Sequence, residues 1–233
     1  MTRPDPPRMD RTTLETAEEV GQKRVFRWAV DWPGWCRTGR TSDLALEALL
    51  VCAPRYAIVT REAGLAFPAE PGAVTADDLL VVESVPGGSG TDFGVPSVIT
   101  DTDRRSTDPD GAYRLACLVA AAWVVFDRVA ATAPAELRKG PRGGGRDTAR
   151  IVAHVIEADG AYAREIGVRL PAPDPADRAA VEAERHAMLD VLEAPSDGSP
   201  LADRRWTTRY AARRIAWHAL DHAWEIEDRT EPG

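Results

Sequence analysis

The sequence predicts an α+β unit over residues 21–105, followed by an all-α four-helix bundle over residues 106–233. The pattern of apolar residues changes near residue 105. Before it, short alternating segments rich in β-branched and aromatic residues stand between turn signals, as is typical of strands. After it, apolar residues recur with the 3.6-residue period of helices, in four stretches joined by short linkers.

The N-terminal half opens with residues 1–20, which we expect to be a disordered lead-in because prolines and charges dominate its start. Residues 31–34 are expected to form a turn, because proline fixes φ and glycine accepts a positive φ. Thr41 is a candidate N-cap. The expected elements are a strand at 24–30, a short strand at 35–38, a helix at 41–60, a strand at 79–85 and a glycine-rich loop at 86–94.

Four helices are expected in the C-terminal half. Asp147 is a candidate N-cap and Gly167 a candidate C-terminal cap of the second helix, and Pro175 stands in the first turn of the third. The expected helices cover residues 108–133, 147–167, 175–192 and 203–228.

Composition narrows the class of protein. Hydrophobic residues make up 44% of the chain and charged residues 28%, as in ordinary globular proteins. The net charge of -8 argues against broad nucleic-acid binding. The most apolar run, residues 115–129, is interrupted by Asp127 and Arg128, so neither a membrane span nor a signal peptide is expected. These features predict a cytoplasmic protein.

The three cysteines form no CxxC pair, so a zinc ribbon is not expected.

The histidines carry the strongest functional signal. His218 and His222 are four residues apart, so on a helix they lie on one face and can bind one metal ion, although coincidence explains many such pairs. His154 has apolar neighbours, and on its own it would be a core histidine bonded to a carbonyl. Together the three predict a metal site in the helical half, with coordination positions left open. His186 stands among charged residues and is expected to be solvated.

Other polar residues are candidates for roles beside these histidines. Asp221 and Glu225 lie near the pair, where a carboxylate can orient an imidazole, act as a catalytic base, or pair with Arg214 or Arg229. The basic loop at 137–146 leads into a helix N-terminus, so Arg142 and Arg146 are candidate substrate-binding residues for an anionic group. The alternative for that loop is a mobile, solvated segment.

Residues 108–229 resemble the DinB-like superfamily of metalloenzymes, which includes the bacillithiol and mycothiol S-transferases. The resemblance implies a four-helix bundle in which a histidine on the second helix and an HxxxH pair on the last hold a divalent metal. His154, followed by Glu157 and Tyr162, falls at the second-helix position, and Tyr162 is a further candidate substrate-binding residue. Many members continue after the second histidine with Arg-Gly-Gln, whereas this chain has Ala223, Trp224 and Glu225.

Residues 24–60 are similar to HicB-like domains, small α+β units in which two strands flank a turn with the pattern D-x-PG and a helix follows. We take this likeness as one of fold only.

These observations predict a metal-dependent enzyme that activates a thiol or water, for S-transfer or hydrolysis of a small-molecule substrate. All-nitrogen ligation favours Zn, Ni, Fe or Co. A low-molecular-weight thiol is an expected second substrate, and a homodimer is compatible with the sequence. The alternative is a non-catalytic protein- or RNA-binding module with a structural metal.

Overall fold

The computed structural model describes residues 13–67, 74–139 and 145–230. The fold is mixed α/β. A four-stranded sheet forms in the N-terminal part of the chain, and the C-terminal part is mostly helical. The predicted sequence of a sheet-containing N-terminal part and a mostly helical C-terminal part is confirmed.

The sheet has the strand order β3-β2-β1-β4. Its strands are β1 (Leu14–Val20), β2 (Val25–Ala29), β3 (Cys36–Gly39) and β4 (Leu79–Pro86). β1 pairs antiparallel with β2 and parallel with β4, and β2 pairs antiparallel with β3. The predicted turn between β2 and β3 contains Gly34 at φ 93. A Cβ on Gly34 would lie 2.5 Å from Leu220 Cδ1, so glycine lets this turn approach the last helix closely.

The prediction of a disordered lead-in is wrong for residues 14–20, which form β1 at the centre of the sheet. Three of its seven residues are glutamates, which hides the strand pattern in the sequence. Glu19 is fully buried, and its carboxylate accepts hydrogen bonds from the Thr91 hydroxyl and the Ser97 and Val98 amides. Residues 1–12, the rest of the predicted lead-in, lie outside the described residues.

The helices begin and end close to their predicted bounds. They are α1 (Ser42–Glu62), α2 (Ser89–Phe93), α3 (Pro109–Thr132), α4 (Thr148–Glu165), α5 (Arg178–Leu192) and α6 (Thr208–Thr230). The Thr41 and Asp108 side chains cap α1 and α3. The short helix α2 occupies part of the predicted glycine-rich loop. The last helix begins later than predicted, because Ala202 and Asp203 adopt left-handed backbone conformations with φ 52 and 54.

The two parts of the chain share two hydrophobic clusters. α6 packs against α3, α4 and α5, and α1 packs against both the sheet and α3. The core cluster contains Trp35, Leu49 and Tyr56 from before residue 105 and Phe126 and Ile215 from after it. In the second cluster, Trp217 of α6 packs with Phe26 and Trp28 of β2, so α6 contacts both parts of the fold.

Among the helices of the described chain, only α3 is long and apolar enough to cross a membrane by length and composition. Half of its most apolar window is buried inside the protein, where Leu118, Val119 and Phe126 are inaccessible to solvent. A core helix has this same composition, so the apolar character of α3 follows from its packing.

Candidate metal centre

Three imidazoles from two helices meet at one point. His154 lies in the middle of α4, and His218 and His222 lie one turn apart on α6. One nitrogen of each ring lies within 4.8 Å of the other two, and His154 Nε2 is 3.3 Å from His218 Nε2. The ring centroids are 4.7 to 5.1 Å apart. The prediction that these three side chains converge is confirmed.

Helix packing produces this convergence. On α4, Ile151 and Val155 on either side of His154 are fully buried, which fixes the face that α4 turns towards α6. On α6, every residue from 211 to 220 is buried, so this helix lies inside the fold, and His218 on it meets His154 of α4. Because residues four apart on a helix lie one above the other, His218 and His222 both reach the line along which the helices meet.

The distances fit a divalent ion. Two nitrogens that each lie about 2.1 Å from one ion at a tetrahedral angle are about 3.4 Å apart. The His154–His218 pair, at 3.3 Å, already has this separation. Nitrogens sharing an ion can be at most about 4.2 Å apart, so the widest pair, within 4.8 Å, needs a shift of under about 1 Å. Imidazole nitrogens that face each other need a proton or a cation between their lone pairs.

Glu225 orients His222. Its carboxylate accepts a hydrogen bond of 2.8 Å from His222 Nδ1, which leaves the Nε2 lone pair of that ring free for a metal. Arg229 Nη1 donates to the other oxygen of Glu225 at 2.8 Å. The hydrogen bond from His222 is the main reason why the pKa of Glu225 lies below its usual value. Glu225 is therefore ionised and held at both oxygens.

The electrostatic surroundings keep two of the imidazoles neutral. Burial is the main cause that lowers the pKa of His218 well below 6.5, and the nearby charges of Arg214 and Arg146 lower it further. Burial and Arg146 also lower the pKa of His154. A metal binds the neutral form of imidazole, so these shifts favour metal binding at neutral pH.

The other residues predicted for the site differ in how closely they approach the three histidines. The Tyr162 ring centroid is 5.6 Å from that of His218. Asp221 accepts a hydrogen bond of 3.2 Å from Arg37 on β3. Arg146 is close enough to influence two of the histidines, whereas Arg142 lies outside the described residues. His186 is exposed, as predicted.

The contacts that two arginines of this region make were not predicted from the sequence. Arg37 is 184 residues from Asp221, and nothing local to either residue indicates their contact. Its guanidinium also lies 5.2 Å from the centre of the Trp224 ring. Arg214 on α6 lies between the Tyr162 and Trp217 rings. The sequence suggested that Arg214 pairs with Asp221 or Glu225, a pairing that does not form among the described residues.

We expect Glu225→Gln to weaken metal binding about 10- to 100-fold, because the amide orients His222 less firmly than a carboxylate does. The measurement is metal affinity by competition with a chromophoric chelator. The matched control is Glu227→Gln on the same helix, where the carboxylate lies 3.6 Å from Arg55 Nε. Equal affinities in both variants would contradict the role assigned to Glu225.

The lowered pKa values of His154 and His218 predict how the stability of the metal-free protein depends on pH. A histidine with a depressed folded pKa stabilises the fold fully above its unfolded value, near ~6.5, and this stability is lost as the pH falls towards the folded pKa. The melting temperature should therefore fall below about pH 6.5. His218→Phe should flatten this fall, and an unchanged pH profile in that variant would contradict the assignment.

Comparison of the chain with protein-family models, with curated proteins and with solved structures found no match.

Proposed function

We propose that this protein is a divalent-metal-dependent enzyme of the DinB-like superfamily. In this proposal α3 to α6 form the four-helix bundle of that superfamily, and His154, His218 and His222 hold the metal. The observation that carries the proposal is the convergence of three imidazoles within 4.8 Å, two of them with lowered pKa values.

Three protein ligands leave coordination positions open to another molecule, which is the arrangement of catalytic sites. A bound divalent ion would act as a Lewis acid that lowers the pKa of a thiol or a water molecule. His154 and His222 are only partly buried, which supports access from solvent. Glu225 orients His222, and the Tyr162 hydroxyl stays protonated because burial raises its pKa, so it can donate a hydrogen bond to a substrate.

The donor atoms of the site bear on which metal binds, and the family resemblance bears on which reaction follows. All-nitrogen ligation favours Zn, Ni, Fe or Co over Mg or Ca. Likeness to the thiol S-transferases favours S-transfer from a low-molecular-weight thiol to a small-molecule substrate. Hydrolysis by an activated water uses the same residues and remains the other reaction of this proposal.

The second candidate is a non-catalytic protein- or RNA-binding module in which a metal only fastens α4 to α6. One observation favours it: His218 is buried, with only 7% of the residue exposed, as a ligand of a closed structural site would be. A structural site of this kind would have a closed fourth ligand.

The test is to load the protein with Co(II) and titrate it with 2-mercaptoethanol. An enzyme with an open coordination position should show a thiol-dependent change in its visible spectrum, and it should speed the reaction of the thiol with a chromogenic electrophile. The metal-free protein is the control. A Co(II) spectrum that the thiol leaves unchanged, together with no rate increase for thiol or water, would favour the structural role.

A further inference from the structure

Arg214 lies beside the metal centre on the same face of α6. Tyr210, Arg214, His218 and His222 follow one another at intervals of four residues, so their side chains form one row along the helix. The Arg214 guanidinium lies 5.4 Å from the centre of the Tyr162 ring and 4.7 Å from that of Trp217. Only 9% of the residue is exposed.

Arg214 has no carboxylate partner among the described residues. Three neighbouring arginines do have one: Arg204 pairs with Glu165, Arg209 with Asp31 and Arg213 with Asp103. The sequence offered Asp221 and Glu225 as partners for Arg214.

In the structure, both of those carboxylates form ion pairs with other side chains. Asp221 binds Arg37, and Glu225 binds His222 and Arg229. Arg214 Nη1 is buried and has no hydrogen-bond partner in the described chain. The guanidinium is therefore left buried without a counterion among the described residues.

A buried cation without a counterion is unfavourable, because burial removes the water that solvates it. The aromatic faces of Tyr162 and Trp217 attract the guanidinium but carry no net charge. The Tyr162 hydroxyl also interacts with it and stays neutral, because burial raises its pKa. The neighbouring positive side chain, Arg146, adds to the local excess of positive charge, as its effect on His218 shows. An anion from outside the described chain would balance this charge.

We propose that Arg214 binds the carboxylate of a short organic acid whose reactive group faces the three histidines. Arg214 and His218 are four residues apart on α6, a rise of about 6 Å along the helix axis, so a few bonds can span the two groups of the ligand. A guanidinium presents parallel N–H donors that match the two oxygens of a planar carboxylate. The substrate class rests on the proposed function, whereas carboxylate binding by Arg214 does not.

The experiment compares 3-mercaptopropionate with the neutral 2-mercaptoethanol by calorimetric titration of the Co(II)-loaded protein. The wild type should bind the carboxylate-bearing thiol at least about tenfold more tightly. Arg214→Met should lose this preference, and Arg214→Lys should keep part of it. The exposed Arg205→Gln, which removes a charge of the same sign, should leave it unchanged. No preference in the wild type, or an equal preference in Arg214→Met, would overturn the proposal.

A second measurement separates binding from a structural role. Because the unpaired charge is unfavourable in the folded protein, Arg214→Met should melt at the same temperature as the wild type or higher. A large drop in melting temperature would mean that the guanidinium serves the fold, and it would overturn the proposal.

Titration of the metal-free protein with propionate distinguishes the two proposals. Propionate binding that Arg214→Met weakens at least about tenfold would support the role of Arg214 even if Co(II) gave no thiol response and the proposed function failed. Propionate binding that this variant leaves unchanged would count against Arg214 alone.

Discussion

Replacing His218 by alanine is expected to abolish stoichiometric binding of a divalent metal. His218 Nε2 lies 3.3 Å from His154 Nε2, so these two nitrogens form the part of the site that already has the spacing of a bound ion. Without His218, the His154 and His222 rings on separate helices remain, and the helical HxxxH pair is lost. We expect the affinity for Zn to fall by several orders of magnitude, measured as metal content after dialysis and by chelator competition.

His186→Ala is the control for this experiment. His186 lies on the exposed face of α5, where its Nδ1 is 2.7 Å from the Glu182 carbonyl oxygen. This variant should keep full metal content and the same melting temperature. Metal content that survives in His218→Ala would contradict the three-histidine site, and the proposed enzyme with it. Added Zn should raise the melting temperature of the wild type and of His186→Ala, because a ligand that binds only the folded state stabilises it.

The histidine cluster could be predicted because its signals are local. The HxxxH spacing on one helix places two rings together whatever the rest of the fold does. For His154, the apolar residues around it indicate an inward-facing position, and helix packing then brings it to the same point. Local signals do not tell which helix faces α6, and that part of the prediction depended on the order of the helices in a bundle.

Other parts of the molecule depend on contacts far apart in sequence. β1 was missed because Glu18 and Glu19 occupy buried positions that the strand pattern expects to be apolar. Glu19 is tolerated there because three donors from residues 91–98 satisfy it, and no short segment shows this compensation. The pairing of Asp221 with Arg37 likewise depends on a contact between residues that are far apart in the sequence. Because Asp221 pairs with Arg37, Arg214 has no carboxylate partner among the described residues, so the ligand-binding role proposed for Arg214 could not be predicted from the sequence.

α6 is also held by a buried ion pair one turn before the metal centre. Arg213 and Asp103 are 4% and 5% exposed at their side chains, and Arg213 Nη2 donates to Asp103 Oδ2 at 2.6 Å. The Arg213 guanidinium lies 4.1 Å from the centre of the Trp28 ring on β2. Burial lowers the pKa of Arg213, but the charge of Asp103 outweighs it and raises the pKa above the usual value, so the pair is charged.

We expect Arg213→Met to destabilise the protein by about 3–5 kcal/mol, because it leaves the Asp103 carboxylate buried without its counterion. The free energy of unfolding is measured by urea denaturation. Arg178→Met is the control: Arg178 is largely exposed, and its ion pairs with Glu182 and Asp127 should together contribute no more than about 1 kcal/mol. In the double variant Arg213→Met/Asp103→Leu, no buried charge is left alone, so the loss should be smaller than the sum of the two single losses. Strictly additive losses would mean that Arg213 stabilises α6 through Trp28 rather than through Asp103.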